Sequence, residues 1–115
     1  MTHPLAHHTL VDLHECDPEL LRSADDLKPL LLAAIRRGGG TIITEIFHNF
    51  SPHGVSGVIV IAESHVAIHT WPERAFAALD LFSCSSSLDR ESIAKEIASA
   101  LGSNRVTLRT IARGE

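Results

Sequence analysis

The sequence predicts an α+β fold, a two-layer sandwich in which a mostly antiparallel sheet carries two helices on one face. Two stretches, residues 20–35 and 88–101, repeat apolar side chains at helical spacing. Between them lie short β-branched or apolar runs separated by turn residues, which read as hairpin-linked strands. One more strand precedes the first helix and another follows the second. The order is therefore β-α-β-β-β-β-α-β, in a single domain of 115 residues.

Residues 9–13 form the first strand. Asp17-Pro18-Glu19 opens a helix, with a capping Asp, Pro at the first helical position and an acid in the first turn. Leu20, Leu21, Leu27, Leu30, Leu31 and Ile35 make its apolar stripe. Pro29 interrupts that stripe and implies a kink, or a second start after Ser23-Ala24-Asp25. Arg36-Arg37 before Gly38-Gly39-Gly40 stops the helix, with cations at the negative end of the dipole and glycine beyond. Residues 41–47 are strand-like, Ser51-Pro52-His53-Gly54 is a turn, and residues 55–61 form a strongly apolar strand. Residues 66–69 are the next strand, ended by Trp71-Pro72, and residues 75–82 the one after. In residues 88–101 Ile93, Ile97, Ala100 and Leu101 share a helical stripe closed by Gly102. Residues 104–111 alternate as the last strand, and residues 112–115 are expected to be loose.

Composition narrows the function. With 44% hydrophobic and 21% charged residues the chain is an ordinary globular mix. A net charge of −4 with scattered Lys and Arg argues against nucleic acid and against polybasic membrane attachment. The longest apolar runs, such as residues 58–62, are far too short to span a bilayer, and residues 2–8 lack a signal-peptide core. The expectation is a cytoplasmic protein with Cys16 and Cys84 as free thiols, Cys16 being structural. A chain this small has little room for both a core and a deep private site, so a site at a subunit interface of an oligomer is expected.

Chemistry is concentrated in residues 47–73, where Ser, His, Glu and Trp crowd between apolar strands. Polar residues at strand ends either cap turns or form a site. His65 and His69 stand four apart, on one face of a continuous strand, but two imidazoles without a third ligand make a poor metal site, and no metal is expected. Strict alternation puts Ser64 and His69 on opposite faces. For the two to cooperate, the strand must bend near Ser64 or His69 must act from a neighbouring segment.

Glu63-Ser64-His65, His69-Thr70-Trp71-Pro72-Glu73, Gly54-Val55-Ser56-Gly57 and Asp80-Leu81-Phe82-Ser83-Cys84 resemble the prokaryotic S-adenosylmethionine decarboxylase proenzymes. The similarity runs from Glu15-Cys16-Asp17 to the second helix. The resemblance implies a two-layer fold, a homodimer with sites near the subunit interface, and pyruvoyl-dependent decarboxylation of a small molecule in polyamine (spermidine) biosynthesis. It implies that Ser64 attacks the Glu63 carbonyl and becomes the pyruvoyl group, which holds the substrate amine as a Schiff base and acts as electron sink. The chain would then consist of a β fragment, residues 1–63, and an α fragment, residues 64–115. His69 resembles the histidine that moves protons during processing, Ser56 the serine that assists it, and Cys84 the thiol that protonates the product carbon. Phe50 and Trp71 are candidates for stacking on adenine, and Glu73 for the ribose hydroxyls or the sulfonium. The chain departs from the pattern at His53, where relatives often carry an aromatic residue, and at Ser83-Cys84-Ser85, where they carry Thr-Cys-Gly. Those departures keep L-ornithine and L-arginine as alternative substrates of the same chemistry. A non-catalytic binding domain and a histidine-based metal protein are the readings from other classes.

Overall fold

Period-2 alternation organises the structure, a computed structural model that describes residues 3–114. The strands are β1 (Ala6–His14), β2 (Ile42–Asn49), β3 (Val55–Ile61), β4 (Ser64–Trp71), β5 (Phe76–Ser83) and β6 (Arg105–Arg113), and the helices are α1 (Ala24–Arg37) and α2 (Arg90–Ala100). The six strands form one sheet in the order β2-β3-β4-β5-β1-β6, and every pairing is antiparallel. In β5 the odd positions Ala77, Leu79, Leu81 and Ser83 are buried while the even ones are half-buried. The same division holds in β4, where Val66, Ile68 and Thr70 are buried and His65, Ala67 and His69 are not. The buried side meets Leu27, Leu31 and Ile35 of α1 and Ile93 and Ile97 of α2 in one core. The expected two-layer α+β sandwich is thus the fold, with its second sheet face left uncovered by the described residues. No helix among the described residues is long and apolar enough to cross a membrane.

The segment around Pro29 takes the second-start option. Asp17 accepts the Glu19 N–H at 3.0 Å and caps a single 3-10 turn, Pro18–Leu21, before the chain restarts as α1 at Ala24. Ser23 makes no side-chain cap bond; Asn49 Oδ1 at the end of β2 accepts the Ala24 N–H at 2.8 Å instead. Pro29 lies inside α1, and the helix continues through it to Arg37. α2 starts two residues later than residue 88, capped by Asp89, which accepts the Ser92 N–H at 3.0 Å. At the C-terminus, Ala112 and Arg113 pair with His7 and Ala6 and belong to β6, contrary to the expected loose tail, because β1 itself begins at Ala6 and offers them a ladder. Glu115 and Thr2, to which the sequence reading also extended, lie outside the described residues.

Candidate active site

The hairpin between β3 and β4 has a two-residue loop, Ala62-Glu63, closed by the pair Ile61 and Ser64. β4 begins at Ser64, earlier than residue 66, so Ser64 and His65 are ladder residues opposite Ser83 and Phe82. Ser64 has φ 150°, one of three positive values outside glycine among the described residues. That conformation is rare for a residue with a Cβ and costs on the order of 1–3 kcal/mol. Hydrogen bonds converge on the peptide that precedes it. The Glu63 carbonyl oxygen accepts the Cys84 N–H at 3.2 Å, and Cys84 Sγ lies 3.6 Å from the same oxygen. The Glu63 carboxylate accepts the Thr41 N–H at 3.0 Å, and this bond holds the carboxyl below its ordinary value. The loop after β5 is fixed by Ser83, which is buried, donates to the Ser85 carbonyl at 3.2 Å and accepts the Ser85 N–H at 3.0 Å. Cys84 is thereby set directly after β5, at the root of a loop that Ser83 pins.

A second cluster sits at the other end of β3 and β4. Ser56 and His69 are ladder partners, and Ser56 Oγ is 2.8 Å from His69 Nδ1. With the ring proton on Nδ1, the imidazole donates to the Ser56 hydroxyl oxygen and the Nε2 lone pair is left free to accept a proton. Around this pair is a recess of about 300 Å³ lined by Phe50, His53, Ser56, His69, Trp71 and Glu73. Phe50 is 50% and Trp71 42% exposed, so both aromatic faces are available to a ligand. His53 Nε2 stands 3.6 Å from Glu73 Oε1. Thr70 secures the floor: its buried hydroxyl accepts the Val55 N–H at 2.8 Å and donates to the Leu21 carbonyl at 2.8 Å.

The structure therefore brings Glu63, Ser64 and Cys84 together, and separately Ser56, His69, Phe50, Trp71 and Glu73. It does not bring the two groups together within one chain. β4 runs unbroken from Ser64 to Trp71, so five residues of strand put His69 about 17 Å from Ser64. Of the two options the sequence left open, a bend near Ser64 or His69 acting from a neighbouring segment, β4 shows an unusual torsion at Ser64 alone, and it does not bring His69 near. His69 and Ser56 point to the uncovered sheet face, together with Val58, Val60 and Ile46, the last 73% exposed. On that face the His65 ring stacks on Phe82 with centroids 5.5 Å apart, and His8 Nε2 meets Asp80 Oδ1 at 3.1 Å. Cys16 is buried, its N–H donating to the Ala75 carbonyl at 2.9 Å, and its thiol is raised chiefly by desolvation and donates to the Leu13 carbonyl at 3.5 Å. The sequence marks Thr41 only as the start of a strand, and Ser83 only as part of a motif and a departure from it, neither with a role of its own. Thr41 acts through its backbone, which no side-chain pattern reveals, and Ser83 was signalled only by its place beside Cys84.

Fold and first cluster together define a class: a small two-layer α+β domain built around one strained internal serine whose preceding carbonyl is held by a cysteine. A family model described as S-adenosylmethionine decarboxylase matches residues 7–114. The S-adenosylmethionine decarboxylase proenzyme of Acidithiobacillus ferrooxidans is 40% identical over 111 residues, covering 96% of this chain and 84% of that one. The proenzyme of the same name from Thermodesulfovibrio yellowstonii is 46% identical over 96 residues, covering 84% and 71%. The crystal structure of the adenosylmethionine decarboxylase from Aquifex aeolicus superimposes with a TM-score of 0.91 at 31% identity, over 99% of this chain and 94% of that one. The chain belongs to the S-adenosylmethionine decarboxylase family.

Proposed function

We propose that this chain cleaves itself between Glu63 and Ser64 and then acts as a pyruvoyl-dependent decarboxylase of S-adenosylmethionine. The observation that carries the reading is the held Glu63 carbonyl beside a Ser64 at φ 150°. Attack by Ser64 Oγ on that carbonyl carbon forms a C–O bond, breaks the C–N bond and leaves the hydroxyl proton on the Ser64 nitrogen. Negative charge develops on the Glu63 oxygen during the attack, where the Cys84 N–H already donates and the thiol stands by. Removal of the Ser64 α-proton then expels Glu63 as a carboxylate. Water replaces the nitrogen of the resulting dehydroalanine, ammonia departs, and a pyruvoyl group caps the new chain. That group supplies an electron sink for decarboxylation. It arises from Ser64 itself, and the Cys84 thiol next to Ser64 is suited to deliver a proton at the carbon that loses CO₂.

Proton removal needs a base, and the geometry within one chain offers none from the Ser56–His69 end. A second copy packed on the uncovered face, with its strands running oppositely, supplies it. Two-fold symmetry then sets one copy's Ser56 and His69 against the other's Ser64 and Cys84, twice. Val58, Val60 and Ile46 give that face the apolar character a dimer contact requires. The Phe50–Trp71 recess would come with His69 to the shared site, offering aromatic faces for a base and the Glu73 carboxylate for a sulfonium or ribose.

Intact mass under denaturing conditions tests the processing. The expected species are residues 1–63 and residues 64–115 with a ketone in place of the serine amine. CO₂ release is then expected from S-adenosylmethionine and not from L-ornithine or L-arginine. A chain that stays intact after long incubation removes the reading, and release from an amino acid alone reassigns the substrate.

A further inference from the structure

The loop that carries the scissile bond breaks a rule of hairpin chemistry. Two-residue hairpin loops favour turns with positive φ at the first loop residue, because only those follow the right-handed strand twist. Among the described residues, neither Ala62 nor Glu63 has positive φ; the unusual torsion falls on Ser64, the next residue, at 150°. An isolated hairpin of this sequence would relax, so contacts from outside it must impose the conformation. Two of them come from Thr41, immediately before β2. The Ala62 N–H donates to the Thr41 carbonyl at 2.8 Å and the Thr41 N–H donates to Glu63 Oε1 at 3.0 Å, which closes a ring of two hydrogen bonds around the loop. On the other side the Cys84 N–H holds the Glu63 carbonyl at 3.2 Å.

We infer that the Glu63 carboxylate and the Thr41 amide form a clamp that keeps the Glu63–Ser64 peptide strained, making Glu63 a positioning residue for its own cleavage. This rests on the processing reaction proposed above and assigns a role to the side chain of the residue cleaved, beyond its carbonyl. The clamp acts before any bond breaks. Ser64 φ turns about a nitrogen that is still acylated by Glu63, so the constraint exists only in the uncleaved chain. Once the C–N bond is broken the torsion is free and the strain does not return, which favours the forward direction. The Thr41 bond also holds the Glu63 carboxyl below its ordinary value, as a donor aimed at a carboxylate does.

Cell-free synthesis of the full chain followed by timed intact-mass measurement tests this. Glu63→Ala, which removes the acceptor, and Thr41→Pro, which removes the donor, are each expected to slow cleavage about tenfold, and the double variant no further. Glu63→Gln retains an acceptor oxygen and is expected to cleave within about threefold of the parent rate. Added hydroxylamine cleaves an ester at the Glu63 carbonyl, so fragment yield in its presence is expected to fall in parallel in the two slow variants. A merely structural contact would lower thermal stability without that parallel. Glu63→Ala cleaving at the parent rate, Gln as slow as Ala, or normal hydroxylamine cleavage in the slow variants overturns the clamp. A parent chain that never cleaves overturns the processing reading itself, which separates the two failures.

Discussion

At the residue scale the two cysteines illustrate what position does to one kind of side chain. Cys84 follows directly on β5, is exposed, and faces the Glu63 carbonyl; Cys16 is sealed in the core with a thiol raised chiefly by desolvation from its ordinary 9.0. The consequence for Cys16 is a stability term of known sign. Below pH 9.0 the thiol is neutral in both folded and unfolded chains and nothing is lost. Above it the unfolded chain gains by ionising while the folded chain does not, so stability falls as pH rises through the raised folded value. Thermal unfolding from pH 7 to 10.5 is expected to show a decline above about pH 9 that Cys16→Ala lacks, whatever the variant's lower baseline. Parallel curves for the two proteins would assign the alkaline decline to other groups. Ser64, Cys84, Ser56 and His69 are singled out by the dense motifs around them, and the odd count between Ser64 and His69 sets those two on opposite faces of a regular strand. That they sit at opposite ends of the β3–β4 hairpin was not legible, since alternation speaks of faces and not of which end of a hairpin faces a partner. Nor was Thr41, since a backbone donor has no residue type.

At the element scale the number, order and kind of strands and helices followed from periodicity and turn residues, while the ends did not. β1, β4 and β6 all extend beyond their expected limits, because polar residues such as His7, His65 and Arg113 join ladders once a neighbour offers hydrogen bonds. Which strands pair was also beyond reading: β1 lies between β5 and β6, both distant in sequence. Thr70 shows how one side chain joins elements. Its hydroxyl is the partner of the Val55 N–H in β3 and of the Leu21 carbonyl in the 3-10 turn, both at 2.8 Å. Thr70→Val keeps the shape and strands two buried backbone groups, each worth roughly 1–3 kcal/mol when unmet. A loss of about 2 kcal/mol or more in urea unfolding is expected, with Thr70→Ser recovering most of it. A change below about 0.5 kcal/mol would mean that water reaches Val55 or Leu21 and that the hydroxyl is dispensable.

At the scale of the whole molecule, the proposed cleavage divides a sheet whose strands are interleaved. Residues 1–63 contribute β1, β2 and β3, and residues 64–115 contribute β4, β5 and β6. In the sheet, β1 is flanked on both sides by strands of the later fragment, and β3 pairs with β4. Separating the fragments would break three ladders and open the common core, so each cleaved protomer persists as one folded body and any exchange takes place between whole protomers. That allows the shared site to be tested directly. In the proposed reaction, Ser64→Ala alone lacks the nucleophile and His69→Ala alone the base, so neither is expected to cleave. Co-expressed, they form mixed dimers with two unlike sites. One site receives both substitutions, so it has neither nucleophile nor base and is dead. The other joins Ser64 of the His69→Ala chain to His69 of the Ser64→Ala chain and is complete. Mass analysis is expected to show fragments from the His69→Ala chain only, from roughly half of those chains if the copies pair at random. Two uncleaved chains, with the parent protein cleaving normally, would mean that His69 serves the Ser64 of its own chain and that β4 must unfold to bring them together.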